Sequence, residues 1–87
     1  MDRHADFEKA QERVNALTKR PGTDELLELY ALFKQAMTGD ATGSRPGALD
    51  FKARAKFDSW AKLAGTTQDD ARDRYIALVD KLVAKYT

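Results

Sequence analysis

Two lysines spaced by four, Lys52 and Lys56, occur in this 87-residue chain with a Tyr30-x-x-Phe33-Lys34 segment and with Tyr75. On a helix that spacing puts both ammonium groups on one strip, where they can converge on a single anion. An ammonium attracts phosphate oxygens, a tyrosine hydroxyl donates to the same anion, and an aromatic face stacks on a base. Such a set suits a ligand that carries both a phosphate and an aromatic base. The same residues have a plainer reading. Tyrosines at the edge of an apolar stripe are half-buried core, and helix lysines are a solvated face. Spacing alone leaves both readings open.

Other chemistry is easier to set aside. Cysteine is absent, which rules out disulfides, thiolate nucleophiles and thiolate-bound zinc. The one histidine, His4, sits beside the N-terminus, so a Ser-His-Asp set would stand on a fraying end. No catalytic, metal or cofactor site is expected. Without cysteine, and with no apolar run in MDRHADFEKA to act as a secretory signal, a cytoplasmic location is expected. No apolar stretch reaches the ~18–20 residues of a membrane helix, so stable membrane insertion is not expected either.

Fifteen Lys+Arg against fourteen Asp+Glu leave a net charge of +1, which disfavours a nucleic-acid binder. The balance is uneven along the chain. Residues 23–44 carry one base and four acids, net −3, and residues 45–62 carry five bases and two acids, net +3. A local basic patch in a neutral protein suits a small anionic ligand better than a polyanion.

These residues need helices to position them. Phe7, Ala10, Val14 and Leu17 step along one helical face until Lys19-Arg20-Pro21-Gly22 breaks it. Thr23 is the expected N-cap of a second helix running to about Thr38. On that helix Leu26, Tyr30, Phe33 and Met37 lie within about 60° of one another, with Leu29 and Ala36 widening the stripe. Gly39 to Asp50, with three glycines and a proline, is a long connection. A third helix is expected from Phe51 to about Ala64, with Ala53, Phe57, Trp60, Ala61 and Ala64 on one face. Thr66-Thr67-Gln68-Asp69-Asp70 starts a fourth, striped by Tyr75, Leu78, Val79, Leu82 and Tyr86. No strand alternation of useful length is present. The expected fold is all-α: one four-helix bundle over residues 1–87, one domain of about 9.8 kDa.

The sequence resembles the acyl-CoA-binding protein family, and the resemblance covers nearly the whole chain. It runs through Phe7-Glu8-Lys9-Ala10, Tyr30-Ala31-Leu32-Phe33-Lys34-Gln35-Ala36, Gly39-Asp40 and Arg45-Pro46-Gly47. It continues through Asp50-Phe51-Lys52, Ala55-Lys56-Phe57-Asp58, Trp60, Leu63-Ala64-Gly65-Thr66-Thr67, Asp70-Ala71 and Tyr75-Ile76. The resemblance implies an up-down-down-up bundle with the Gly39–Asp50 segment as its crossover. It also implies a carrier, not an enzyme, that holds long-chain fatty acyl-CoA non-covalently. The family's phosphate-binding residues fall on Tyr30, Lys34 and Lys56, which address the 3′-phosphate, and Lys52 matches a further lysine near the site. Its aromatic contacts to the nucleotide fall on Phe33 and Tyr75, and its groove-lining positions on Leu26 and Leu27. A monomer is implied.

The chain departs from the family at a few places. Phe33 replaces a frequent tyrosine, Asn15 a frequent lysine, Gln11 a frequent small residue, and Phe57 a common tryptophan. Phe57 and Trp60 are expected to be packing residues. A reading from another class treats the aromatic stripe as core and the basic strip as the dock for an acidic protein partner. A thioesterase or acyltransferase would need a nucleophile–base pair that the sequence lacks.

Overall fold

The second, third and fourth helices start where a side chain can satisfy a backbone amide that the helix start leaves free. The computed structural model describes residues 3–87, in four helices: α1 (Arg3–Asn15), α2 (Thr23–Thr38), α3 (Phe51–Ala61) and α4 (Gln68–Tyr86). Asp50 Oδ1 accepts from the Ala53 amide at 3.3 Å to start α3, and Thr67 Oγ1 accepts from the Asp70 amide at 3.0 Å to start α4. At α2 the cap is Gly22, not Thr23. Glu25 Oε1 reaches back to the Gly22 amide at 2.9 Å, so the carboxylate makes the junction and Thr23 becomes the first helical residue.

α1 and α3 also end sooner than the periodicity predicts, at Asn15 and Ala61. Past Ala61 the amides of Leu63 and Ala64 bond three residues back, to Trp60 and Ala61, which tightens the chain into a turn before Gly65. Ala64 is therefore exposed and not on the core face.

Cross-helix pairs fix the directions. Phe7 meets Tyr75 and Arg13 meets Asp80, so α1 and α4 run parallel. Glu25 meets Tyr86 and Phe33 meets Tyr75, so α2 runs against α4. Lys56 lies over Tyr30 and Lys34 over Trp60, so α2 and α3 run parallel. This is the expected up-down-down-up arrangement. Parallel neighbours need the long crossover, which is tied down by a two-pronged Arg45–Asp58 pair at 2.9 and 2.7 Å.

The helices pack in the order α1–α4–α2–α3, so α1 and α3 lie at the two outer positions. The result is a slab of 36 × 30 × 15 Å with 5755 Å² of surface, against roughly 5,200 Å² for an ordinary globule of this mass. Its core joins Phe7 and Ala10 of α1, Leu29, Leu32 and Ala36 of α2, and Ala71, Tyr75, Val79 and Leu82 of α4. The expected α2 stripe is displaced accordingly. Leu26, Tyr30 and Phe33 are half-buried and Met37 is 54% exposed, whereas Leu29, Leu32 and Ala36 face inward.

Both ends of α2 are pinned. At the C-terminal end Gln35 is fully buried, and its amide nitrogen donates to Asp40 Oδ1 at 2.8 Å and to the Thr66 carbonyl at 2.7 Å. Asp40 also accepts from the Gly65 amide at 3.0 Å. The Gln35 amide, then the Gly65 amide, hold the Asp40 carboxyl below its ordinary range. Gly39, at φ 88°, makes the turn that brings Asp40 round. At the N-terminal end Glu25 accepts from the Tyr86 hydroxyl and from Lys85 Nζ, the latter at 3.0 Å. The Tyr86 hydroxyl first, then the Gly22 amide and Lys85, pull the Glu25 carboxyl from 4.5 down to about 2.

A carboxyl with a lowered folded pKa adds stability above its ordinary value and loses it as pH falls toward the folded one. Urea unfolding should therefore show stability declining between pH 5 and pH 2.5. In Glu25→Gln the titrating group is gone, and the decline should be shallower, with Asp40 and Asp58 left to drive it. Equal slopes in the two proteins would contradict the clasp.

Candidate functional site

The half-buried side of α2 opens onto two depressions that share Leu26. The first, of about 350 Å³, lies between α1 and α2 above α4. Tyr30 and Phe33 from α2 and Tyr75 from α4 form its aromatic walls, Leu26 and Leu29 its apolar end, and Gln11, Val14 and Asn15 its α1 wall. The second, of about 420 Å³, lies between the N-terminal ends of α2 and α3. Leu26, Leu27, Phe51 and Ala55 give it apolar walls, and Arg20, Lys52 and Lys56 give it cations. The expected i,i+4 lysine pair thus borders one cavity.

Tyr30 lies at the junction. Lys56 Nζ stands 5.3 Å from the Tyr30 ring centroid, and Lys34 Nζ stands 4.9 Å from that of Trp60. Among the described residues Lys34, Lys52 and Lys56 have no carboxylate partner. By contrast Arg13, Arg45, Arg72 and Lys85 are all ion-paired. A lysine held over an aromatic face keeps its charge uncancelled. The hold is worth roughly 0.5–1 kcal/mol at an exposed site, less than the roughly 1.5–3 kcal/mol of a hydrogen bond to a charged group. An arriving phosphate can therefore draw the ammonium away.

The aromatic residues of the first depression also belong to the packing. Phe33 and Tyr75 form a cluster with Phe7: Phe33 lies stacked on Phe7 at 6.0 Å, and Tyr75 meets Phe7 edge-on at 5.0 Å. Tyr75 is 5% exposed, and burial raises its phenol pKa, so it is a neutral wall of the depression. Phe33 is half-buried and keeps a part of its ring open. Lys34 borders neither depression and lies over Trp60, beside Tyr30 and Lys56 but on the next turn. Trp60 is 7% exposed and donates from Nε1 to the Gly39 carbonyl at 2.8 Å, and the half-buried Phe57 meets it edge-on. Both are packing residues, as expected.

Two neighbours were not among the expected site residues. Phe51 is 76% exposed at the rim of the second depression, and Arg20 sits on its opposite lip. A bulky apolar residue directly after an N-cap, with no place on the α3 core face, was the available signal for Phe51. Arg20 reads only as part of a helix-breaking run. His4 pairs with Glu8 at 3.0 Å on α1, remote from both depressions, and no cluster of metal-binding residues exists among the described residues.

Comparison with known proteins places the sequence and the fold in one family. The family model described as acyl CoA binding protein matches residues 4–79. The chain is 52% identical over 81 residues to the acyl-CoA-binding protein of Saccharomyces cerevisiae, covering 93% of each. It is 51% identical over 80 residues to an acyl-CoA-binding protein homolog of Drosophila melanogaster, covering 92% of this chain and 93% of that one. Among solved structures, Oryza sativa acyl-CoA-binding protein 2 superposes with a TM-score of 0.92 at 32% identity, covering 97% of this chain and 93% of that one. The solution structure of the yeast protein matches with a TM-score of 0.73 at 52% identity, covering 92% and 93%.

The unequal burial of the two stacked phenylalanines can be tested without any ligand. Phe7 is 1% exposed, so Phe7→Ala should cost about 3–5 kcal/mol of unfolding free energy. Phe33→Ala removes a ring that is only half-buried and should cost clearly less, about 1–2 kcal/mol at the transfer value for partial burial. Equal losses on chemical unfolding would make Phe33 a core residue, not a wall of an open depression.

Proposed function

The chain belongs to the acyl-CoA-binding protein family, and from that premise we propose that it is a monomeric cytoplasmic carrier of long-chain fatty acyl-CoA that leaves the thioester intact. The observation that carries the reading is the junction at Tyr30, where an aromatic-walled depression and an apolar, lysine-rimmed one meet. A long-chain acyl-CoA has three parts of matching chemistry: a purine, a ribose 3′-phosphate dianion and an alkyl chain. The purine fits the walls of Tyr30, Phe33 and Tyr75. The phosphate fits Tyr30, Lys34 and Lys56, which come from two helices and can surround one dianion. The acyl chain fits the surface of Leu26, Leu27 and Ala55, with Phe51 at the rim and Lys52 at the mouth.

Magnitudes support the division of labour. Burying a methylene is worth roughly 0.8 kcal/mol. A palmitoyl chain with about fourteen of them gains about 11 kcal/mol gross, before the costs of ordering ligand and protein. The phosphate adds a directional anchor of roughly 1.5–3 kcal/mol per charged hydrogen bond. No reaction is asked of the site. A thioester held on an apolar surface, away from the only histidine and with no thiol in the chain, meets no nucleophile–base pair.

Titrating the protein with palmitoyl-CoA while following Trp60 emission tests the reading. The carrier should saturate at one ligand per chain at low micromolar concentration or below. Acetyl-CoA should bind far more weakly, and palmitoyl-CoA binding should show a negative heat-capacity change. Affinity independent of chain length would show that only the head group is held. No response at all would favour a protein-docking role for the basic strip.

The phosphate anchor is tested separately. Lys34→Ala should weaken palmitoyl-CoA binding about 10–150-fold. The loss should be much smaller toward the 3′-dephospho analogue, and equal losses for the two ligands would remove Lys34 from the phosphate site. Because Lys34 lies over Trp60, the same variant should also blunt the ligand-induced change in Trp60 emission.

A further inference from the structure

The α1 wall of the first depression is built of amides. Gln11 and Asn15 are four residues apart, on adjacent turns of α1, and both border the cavity that Tyr30, Phe33 and Tyr75 enclose. Neither side chain is committed elsewhere. The Gln11 amide nitrogen reaches the Phe7 carbonyl only at 3.5 Å, the outer limit of a hydrogen bond, and Asn15 makes no side-chain hydrogen bond among the described residues. Gln11 is half-buried against the cavity, while Asn15 is exposed at its lip.

Charge decides which part of the ligand meets this wall. The lysines and the arginine of the site stand at the α2–α3 depression or over Trp60, and no cation borders the α1 depression. A phosphate therefore has no cationic partner there. A planar base laid against the aromatic rings of α2 and α4 turns its edge toward α1, the one polar wall. A carboxamide carries an acceptor beside a donor at the spacing of the amino group and adjacent ring nitrogen of adenine, which is how glutamine and asparagine pair with that base elsewhere.

We propose that Gln11, flanked by Asn15, reads the edge of the purine and makes this carrier selective for the adenine base, beyond stacking. The inference rests on the carrier reading above. Gln11 Oε1 accepts from the 6-amino group and Nε2 donates to the neighbouring ring nitrogen. The two rungs convert a sequence-blind aromatic shelf into a site that tells adenine from a purine without its amino group. Asn15 closes the lip with a second, neutral amide, so selectivity at this end comes from hydrogen bonding and not from charge.

The test compares palmitoyl-CoA with an analogue whose purine carries hydrogen in place of the 6-amino group, by calorimetry on the wild type, Gln11→Ala and Gln11→Met. Methionine keeps the length and helix preference of the side chain and removes the amide. Circular dichroism melting of each variant reports whether the fold is kept. The wild type should prefer palmitoyl-CoA by about three- to tenfold, the range of one neutral hydrogen bond. In both variants the preference should fall to near unity, because palmitoyl-CoA loses both hydrogen bonds to the amide and the analogue loses only the one to its ring nitrogen. A preference that persists in both variants overturns the proposal. So does equal tightening of both ligands in Gln11→Ala, which would mean that Gln11 only narrows the depression. A wild type that binds palmitoyl-CoA with no base preference overturns this inference and leaves the carrier reading standing. A wild type that does not bind palmitoyl-CoA overturns both.

Discussion

The pinning of α2 at its two ends is the constraint on which the rest of the molecule depends. Glu25 is held by Tyr86 and Lys85 at one end, and Gln35 with Asp40 is held by Thr66 and Gly65 at the other. Between these points one helix has two duties. Leu29, Leu32 and Ala36 pack into the core, while Leu26, Tyr30 and Phe33 stay half-open. A helix free to roll by one residue, about 100°, would bury the open side and close both depressions. The apolar gain from doing so is real, since each fully buried large side chain is worth roughly 1.5–3 kcal/mol. Polar contacts at the helix ends, which a roll would break, oppose it. Gln35 matters most here, because breaking its bonds would leave a fully buried amide without partners.

The same constraint explains the slab. With α2 fixed against α4, the outer helices α1 and α3 attach on opposite sides and do not meet. A rounder bundle would bring them together and fill the space the ligand needs. The extra exposed surface is the consequence, and the rim residue Phe51 shows its cost most plainly, since three quarters of that apolar side chain faces solvent. Bound ligand would recover part of that surface, which is why affinity in this account grows with alkyl length.

Helix number, type and order were legible in the sequence, because apolar periodicity and the helix-start signal at residues 66–70 act locally. The direction of α2 and α3 was legible only through the family resemblance. Two features of α2 were not. Its aromatic stripe reads as the core face, since a helical wheel cannot distinguish an apolar face that meets protein from one that meets a ligand. Its cap reads as Thr23, since the carboxylate that acts on Gly22 comes from Glu25, whose own geometry is set by Tyr86, 61 residues away. Lys52 and Lys56 border one depression because i,i+4 neighbours share a helix strip, whereas the meeting of that strip with Leu26 and Leu27 depends on how α3 docks on α2. Lys34, expected with Tyr30 and Lys56 at one phosphate, lies over Trp60, a placement that depends on how α3 docks. The burial of Gln35 was invisible for the same reason, as its partner Thr66 arrives from the far end of α3.

In the proposed carrier the two depressions take chemically different ends of one ligand, with Tyr30 and the lysines between them. Isotope-filtered nuclear Overhauser spectroscopy on the labelled protein saturated with palmitoyl-CoA tests it most directly. Contacts are expected from the acyl methylenes to the methyl groups of Leu26, Leu27 and Ala55, and from the adenine ring protons to Phe33 and Tyr75 of the other depression. Acyl contacts to Leu63, across α2 in the hollow where Leu27 also has a side, or adenine contacts to Phe51 and Ala55, would contradict it.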